Sequence, residues 1–186
     1  MKRLLLAPFL LLVFSVSAQT DASLQKRLDA YMAANNRMDV AAILDLVYPK
    51  IFTIIPRPAL EEETRKVFDS PEVSTQMDSC RADSVHPSFN VGAGTYAVVD
   101  YSFVLRMKFK EEENTNAEEM TTLMSSVMNT TVTYDSSTKT LIVPLKADML
   151  AIRNEHSPDW TFIDYKKLKS LSTMLLDAEV WAKLED

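Results

Sequence analysis

Between Tyr96 and Phe109 the side chains alternate with a period of two, and few folds accommodate that pattern. Val99, Tyr101, Phe103, Leu105, Met107 and Phe109 fall on one side, while Asp100, Ser102, Arg106 and Lys108 fall on the other. A strand sends successive side chains to opposite faces, whereas a helix would scatter the same residues around its circumference. The segment therefore reads as a long strand with one heavily apolar face and one mixed face. That is the pattern of an antiparallel sheet covered by helices on its apolar side. The rest of the chain must then supply partner strands and a helical roof.

The roof is legible upstream. Leu24, Leu28, Tyr31 and Met32 share one face of a helix predicted from about Ser23 to Ala34. Asp39 is a good N-cap for a second helix, in which Val40, Ile43, Leu44, Val47 and Ile51 repeat the spacing until Pro49 ends it near Val47. Ile51–Ile55 suits either state. After Pro56-Arg57-Pro58, a helix is expected with Glu61–Glu63 in its first turn and with Leu60, Thr64, Val67 and Phe68 facing inward, until Pro71 stops it. Partner strands are expected at residues 73–84, at Thr131–Tyr134 and Thr140–Ile152 around a turn at Asp135–Ser137, and at Trp160–Tyr165 after a turn over Asn154–Asp159. Pro144 marks an edge position or a bulge. Glu111–Asn116 reads as a polar loop. Helices are expected at Ala117–Met128, with Met120, Leu123, Met124, Val127 and Met128 on one side, and over Lys166–Leu184, with Leu168, Leu171, Leu175 and Leu176 in the core. No repeat or linker interrupts this order, so residues 19–186 are expected to form one α+β domain.

Residues 1–18 read differently. Lys2 and Arg3 precede an apolar run from Leu4 to Phe14, and Ser15-Val16-Ser17-Ala18 ends in small residues. This predicts a signal peptide cleaved between Ala18 and Gln19, and hence a periplasmic or extracellular protein. The run is about half the roughly 20 residues that span a bilayer, so no stable membrane anchor is expected. The leader holds two of the 20 basic residues and none of the 26 acidic ones, so its removal takes the net charge from −6 to −8. Such a chain repels phosphate backbones, which disfavours nucleic acid as a partner. Cys80 is the only cysteine; an internal disulfide is impossible, and a shielded, buried thiol is expected.

The chain also lacks several chemical signatures. Its two glycines, Gly92 and Gly94, precede a strand and not a helix, so they form no phosphate-cradling loop. No serine has the glycine flanks of a hydrolase elbow. His86 and His156 stand 70 positions apart, with no spacing that suggests a metal site. Glu61–Glu63 and Glu111–Glu113 lack the alternating oxygen ligands of a calcium loop. No metal, cofactor or catalytic residue is assigned. The methionine stripe at Met120, Met124 and Met128 suits a helix packed on the sheet, or an adaptable binding surface.

Two segments carry a resemblance. The helix pair over Leu24–Val47, with its Asn-Asn-Arg-Met-Asp junction at 35–39, and the strand Asp159-Trp160-Thr161-Phe162-Ile163-Asp164-Tyr165 resemble the nuclear-transport-factor-2-like superfamily, which includes ketosteroid isomerases and polyketide-cyclase-like proteins. The resemblance implies a cone: helices laid on a strongly curved antiparallel sheet, with a pocket between them. On that pattern Tyr31, Tyr48, Tyr101 and Phe103 are candidates to line the pocket, and Trp160 stands near its rim. The isomerases of this group use a carboxylate base facing a tyrosine-containing oxyanion hole. Here Asp100 lies by alternation on the opposite face from Tyr101, so no catalytic role is carried over. The helices at 117–128 and after Tyr165 are additions to the minimal family pattern. The expected function is an exported, non-catalytic domain that binds a small apolar ligand or a protein partner. The alternatives are an acid–base enzyme on a small hydrophobic substrate, and a structural module that forms homodimers through the mixed face of 96–109.

Overall fold

A computed structural model describes residues 21–110, 116–167 and 171–185. The expected leader, most of the Glu111–Asn116 loop and Leu168 lie outside the described residues. The first helix, α1 (Ala22–Asn36), is started by Asp21, whose carboxylate accepts the Ser23 amide at 2.8 Å. Asp39 caps α2 (Val40–Leu44) through the Ala42 amide at 3.1 Å. The spacing predicted that α2 would run to Val47, but it stops at Leu44 because the following backbone joins the sheet. The Leu46 carbonyl accepts from Phe162 N–H, and Tyr48 N–H donates to the Phe162 carbonyl, both at 2.9 Å. Pro49–Thr53 then forms a 3-10 turn, which settles the ambiguous start of Ile51–Ile55 as helical.

The next helix, α3 (Arg57–Phe68), starts four residues ahead of Glu61, so Glu61–Glu63 lie in its second turn and not its first. There they pair with Arg65 and Lys66 at 2.7–2.9 Å, one turn on. Val67, expected to face inward, is 68% exposed. α3 buries no residue fully, and its charged pairs suit a solvated helix.

Six strands make one open antiparallel sheet: β1 (Val73–Val85), β2 (Phe89–Val91), β3 (Gly94–Phe109), β4 (Thr133–Asp135), β5 (Thr140–Asn154) and β6 (Ser157–Ile163). The alternating segment is thus the central strand β3. It pairs with β5 without a break from Thr95–Arg153 to Met107–Leu141. β1 and β2 share its other edge, while β4 and β6 flank opposite ends of β5. Register shifts at Asp78/Arg81 and Ala82/Ser84 bend β1 and curve the sheet. The turn expected over Asn154–Asp159 shrinks to Glu155-His156. Pro158 falls inside β6 at an irregular stretch between the Asn154–Ser157 and Ile152–Thr161 pairs, where its missing N–H breaks no regular ladder bond.

The apolar face of β3 has two roofs. Leu24, Leu28 and Met32 of α1 pack over Ala97 and Val99. Farther along, Leu105, Met107 and Phe109 pack with Met120, Met124 and Met128 of α4 (Ala117–Met128). The mixed face is apolar at its start, where Tyr96 and Val98 meet Leu175 and Leu176 around α5 (Ser172–Leu175) and Val180 of α6 (Ala178–Glu185). The architecture is α+β, with N-terminal helices on a curved antiparallel sheet, an inserted helix and C-terminal helical material.

Gly94 is required by its neighbour. The Tyr96 ring, stacked on Phe89 with centroids 5.6 Å apart, folds back so closely that a Cβ at 94 would stand 2.6 Å from the Tyr96 hydroxyl oxygen. Gly94→Ala is expected to lower the unfolding free energy by about 1–3 kcal/mol, the usual cost of overpacking. In urea melts, the double variant Gly94→Ala/Tyr96→Val should lose less than the sum of the two single changes.

Candidate binding cleft

Three of the five sequence candidates come together. Tyr31, Tyr101 and Phe103 sit half-buried at the margin of the α1 cluster. Tyr101 and Phe103 stack with centroids 5.6 Å apart, and Tyr31 tilts against Phe162 at 5.1 Å. Trp160, expected near a rim, is 2% exposed and belongs to the packed core beneath α1. Tyr48 lies in the cluster on the other side of the sheet, with Leu150, Ile152 and the C-terminal helices; its hydroxyl accepts from Asn154 at 2.9 Å. Tyr48 is separated from the others because the Leu46–Tyr48 bridge to Phe162 turns its side chain across the sheet edge.

Burial sets the chemistry of the phenols. It pushes Tyr31 up to about 12, and it also raises Tyr48, Tyr96, Tyr101 and Tyr165 above the ordinary tyrosine value. A phenol whose folded pKa is raised holds its proton longer in the folded state. The resulting stability is fully present below the unfolded pKa of about 10 and is lost as pH rises through the folded values. Phenolate absorbance is therefore expected to rise together with alkaline unfolding; full tyrosine ionisation near pH 10 with native circular dichroism would contradict this.

A cleft of about 670 Å³ opens across the middle of the sheet. It is lined by Ser79 and Arg81 of β1, Ser102–Val104 of β3, Pro144–Lys146 of β5 and Met128–Thr131 after α4. Local sequence builds each wall. Ser79 takes φ +54° at the first register shift of β1. Asn129 ends α4 in the left-handed conformation, one of the few residue types that tolerates it. Thr130 then donates its hydroxyl to the Pro144 carbonyl at 2.8 Å. β4 covers β5 only as far as Ile142 and β6 only from Leu150, so Pro144, with no N–H to offer, stands in the gap between them. The edge position read from the sequence is therefore correct locally. The volume falls within the range of small-molecule sites.

Beside the cleft, Asp100 and Asp148 are cross-strand partners, and such like charges repel unless compensated. Asp100 accepts from Ser84 Oγ at 2.7 Å and lies 2.8 Å from His86 Nε2. Asp148 accepts from the Tyr165 hydroxyl at 2.7 Å and pairs with Lys166 at 2.7 Å. Ser84 and His86 meet the same oxygen, Asp100 Oδ2, so the serine proton points to a carboxylate and not to imidazole. That is not the geometry of a base-activated nucleophile. The Ser84 hydrogen bond, followed by His86, holds the Asp100 carboxyl below the usual range, which keeps it ionised near neutrality. On the same mixed face Arg106 pairs with Asp78 at 2.6 Å, and Asp83 accepts from the Ser102 hydroxyl at 2.9 Å.

Cys80 is buried, as an unpaired thiol is expected to be, and burial pushes it up to about 11. Its Sγ stands 3.3 Å from Met32 Sδ. Among the described residues no three His, Cys, Asp or Glu side chains gather as a metal-holding group, and no helix is long and apolar enough to cross a membrane. The cleft residues Ser79, Arg81, Asn129, Thr130 and Lys146 belong to no sequence motif; Pro144 inside a strand was the one signal pointing toward them. No protein-family model, curated protein or solved structure matches this chain.

Proposed function

We propose that the chain is exported and serves as a non-catalytic binding module of the nuclear-transport-factor-2-like kind, taking a small apolar ligand in the mid-sheet cleft. The observation that carries this reading is the cleft itself: about 670 Å³, with Phe103, Val104, Leu145 and Met128 among its lining. Apolar lining with a few placed polar groups is how small-ligand sites are built. The N-terminal Lys2-Arg3, apolar run and small residues support export, and the helices laid on a curved sheet support the family reading. The paired state of Asp100, Asp148, Ser84 and His86 favours binding over acid–base work.

A neutral fluorescent probe, N-phenyl-1-naphthylamine, is expected to bind the mature protein with one-to-one stoichiometry and to be displaced by decan-1-ol. Ligand at 100 times its Kd should add about 2.7 kcal/mol to the unfolding free energy. Leu145→Asp should abolish the signal while leaving the circular dichroism of the fold intact. Failure of both neutral compounds to bind or to shift the melting temperature would sink this reading.

A further inference from the structure

We infer that the outer face of α4 docks a helix of a partner protein, one that carries an apolar row edged by lysine or arginine. The inference does not depend on the cleft reading. α4 meets the sheet through one row of side chains. Met120, Met124 and Met128, at i, i+4 and i+8, pack with Leu105, Met107 and Phe109, and no residue of the helix is fully buried. A second row, Glu119, Leu123 and Val127, has the same spacing and forms a ridge beside the first. Leu123 and Val127 stand more than half exposed on it. Tyr134, another exposed apolar side chain, belongs to β4 and points to the α4 side of the sheet, as its cross-strand partner Leu141 does. Val67 of α3 is as exposed as Val127, but Arg65 and Lys66 pair with every acid of that helix.

Charge decides what covers the ridge. Glu118 and Glu119 open α4, and among the described residues neither meets a cation. From Asn116 to Thr138 the sequence has three acidic residues and no basic one. The third, Asp135, is held by Ser137 and Thr138 of its own turn. The ridge thus offers a carboxylate one turn, about 6 Å, ahead of an apolar pair. A partner helix meets both if its apolar residues recur at i, i+3, i+4 and i+7 with a cation beside them. The partly buried methionines along the inner side of the ridge suit such a guest, since an unbranched thioether adapts to what it touches. A second copy of this chain does not fit. Pairing α4 with α4 brings no cation to Glu118 or Glu119, and each chain has a net charge of −6. An anionic lipid surface is repelled for the same reason.

The test titrates a fluorescein-labelled Leu/Lys peptide of about 18 residues, patterned as an amphipathic helix, with the mature protein and follows its anisotropy. The peptide is expected to bind one-to-one, and about tenfold or more tightly than an isomer of the same composition whose order removes the apolar row. A Leu/Glu peptide of the same pattern should not bind. The double variant Leu123→Ser/Val127→Ser, confined to exposed side chains, should keep the fold and lose about tenfold or more in affinity. Glu118→Gln/Glu119→Gln should weaken binding more at low salt than at high salt, where exposed charges are screened. Val67→Ser should leave the affinity unchanged. Equal binding of the isomer would reduce the effect to attraction between a cation and an acidic protein, and would overturn the inference. So would an absence of binding, or an affinity that survives Leu123→Ser/Val127→Ser. Sedimentation of the peptide-free protein as a dimer that this variant dissolves would assign the face to a second copy instead.

Discussion

Trp160→Ala is expected to lower the unfolding free energy by about 3–5 kcal/mol, the range for deleting a large buried aromatic ring. The side chain is 2% exposed, at the junction of β6 and α1. Its indole N–H donates to Ser23 Oγ at 3.1 Å, its backbone carbonyl accepts from Arg27 Nε at 2.8 Å, and the Arg153 guanidinium lies 4.8 Å from its ring centroid. One residue thereby ties the first turns of α1 to the far strand of the sheet. The ion pair nearby, Arg153–Asp21 at 3.2 Å, is well exposed on both sides and contributes little by itself. The ring's contribution is packing, with a polar tip that finds its partner. Trp160→Phe should fall between wild type and alanine, since it keeps much of the apolar area but leaves Ser23 without the indole donor. Urea titration followed by far-ultraviolet circular dichroism checks the series. A loss of under about 1 kcal/mol for alanine would mean that α1 is not held by this contact.

The same residue shows how far the sequence could be read. Its strand was recognisable from the alternation of Trp160, Phe162 and their neighbours, but not its role, because a half-polar aromatic suits a pocket rim and a satisfied core equally well. The difference lies in Ser23, 137 positions away, which no local pattern connects to it. β3 was legible because it alternates over its whole length and keeps an unbroken register with β5. β1 was legible as a strand but not in its bends, since a register shift depends on what the partner strand leaves unpaired. The covering helices were legible as amphipathic, yet Leu123 and Val127 of α4 stand 56% and 67% exposed although they share its apolar side. The apolar stripe of α4 is wider than the strip of sheet beneath it, and periodicity reports only the stripe. The cleft was the least legible feature. Its lining residues are ordinary strand and loop residues, gathered where β4 and β6 leave a gap along β5.

Asn36→Ala is the second change expected to have a large effect, about 2–4 kcal/mol, because it strips two backbone groups of their partner at once. Between Asp78 and Arg81 the pairing of β1 with β3 skips a step, which leaves Cys80, 5% exposed, outside the regular ladder. Asn36, the last residue of α1, replaces the missing strand. Its Oδ1 accepts the Cys80 N–H at 2.8 Å, and its Nδ2 donates to the Cys80 carbonyl at 3.0 Å. Asn36→Asp separates the two bonds, since it keeps the acceptor and turns the donor into a charge facing a carbonyl. Protonation restores a donor, so the carboxyl at 36 should have a folded pKa above its unfolded value of about 3.9. The stability it supplies is then fully present below that unfolded value and is lost as pH rises through the folded one. Asn36→Asp should therefore lie closest to wild type in mild acid and farthest from it at neutrality, while Asn36→Ala should show no such trend. Hydrogen exchange at the Cys80 amide gives a local readout, which should be faster in both variants at neutral pH. The consequence reaches the cleft, because Ser79 and Arg81 flank Cys80 and the bulge sets Arg81 beside Ser102. Loosening it should weaken the binding of N-phenyl-1-naphthylamine in the cleft. If that affinity stays at its wild-type value while the Cys80 amide exchanges faster, Asn36 holds the sheet together without shaping the cleft.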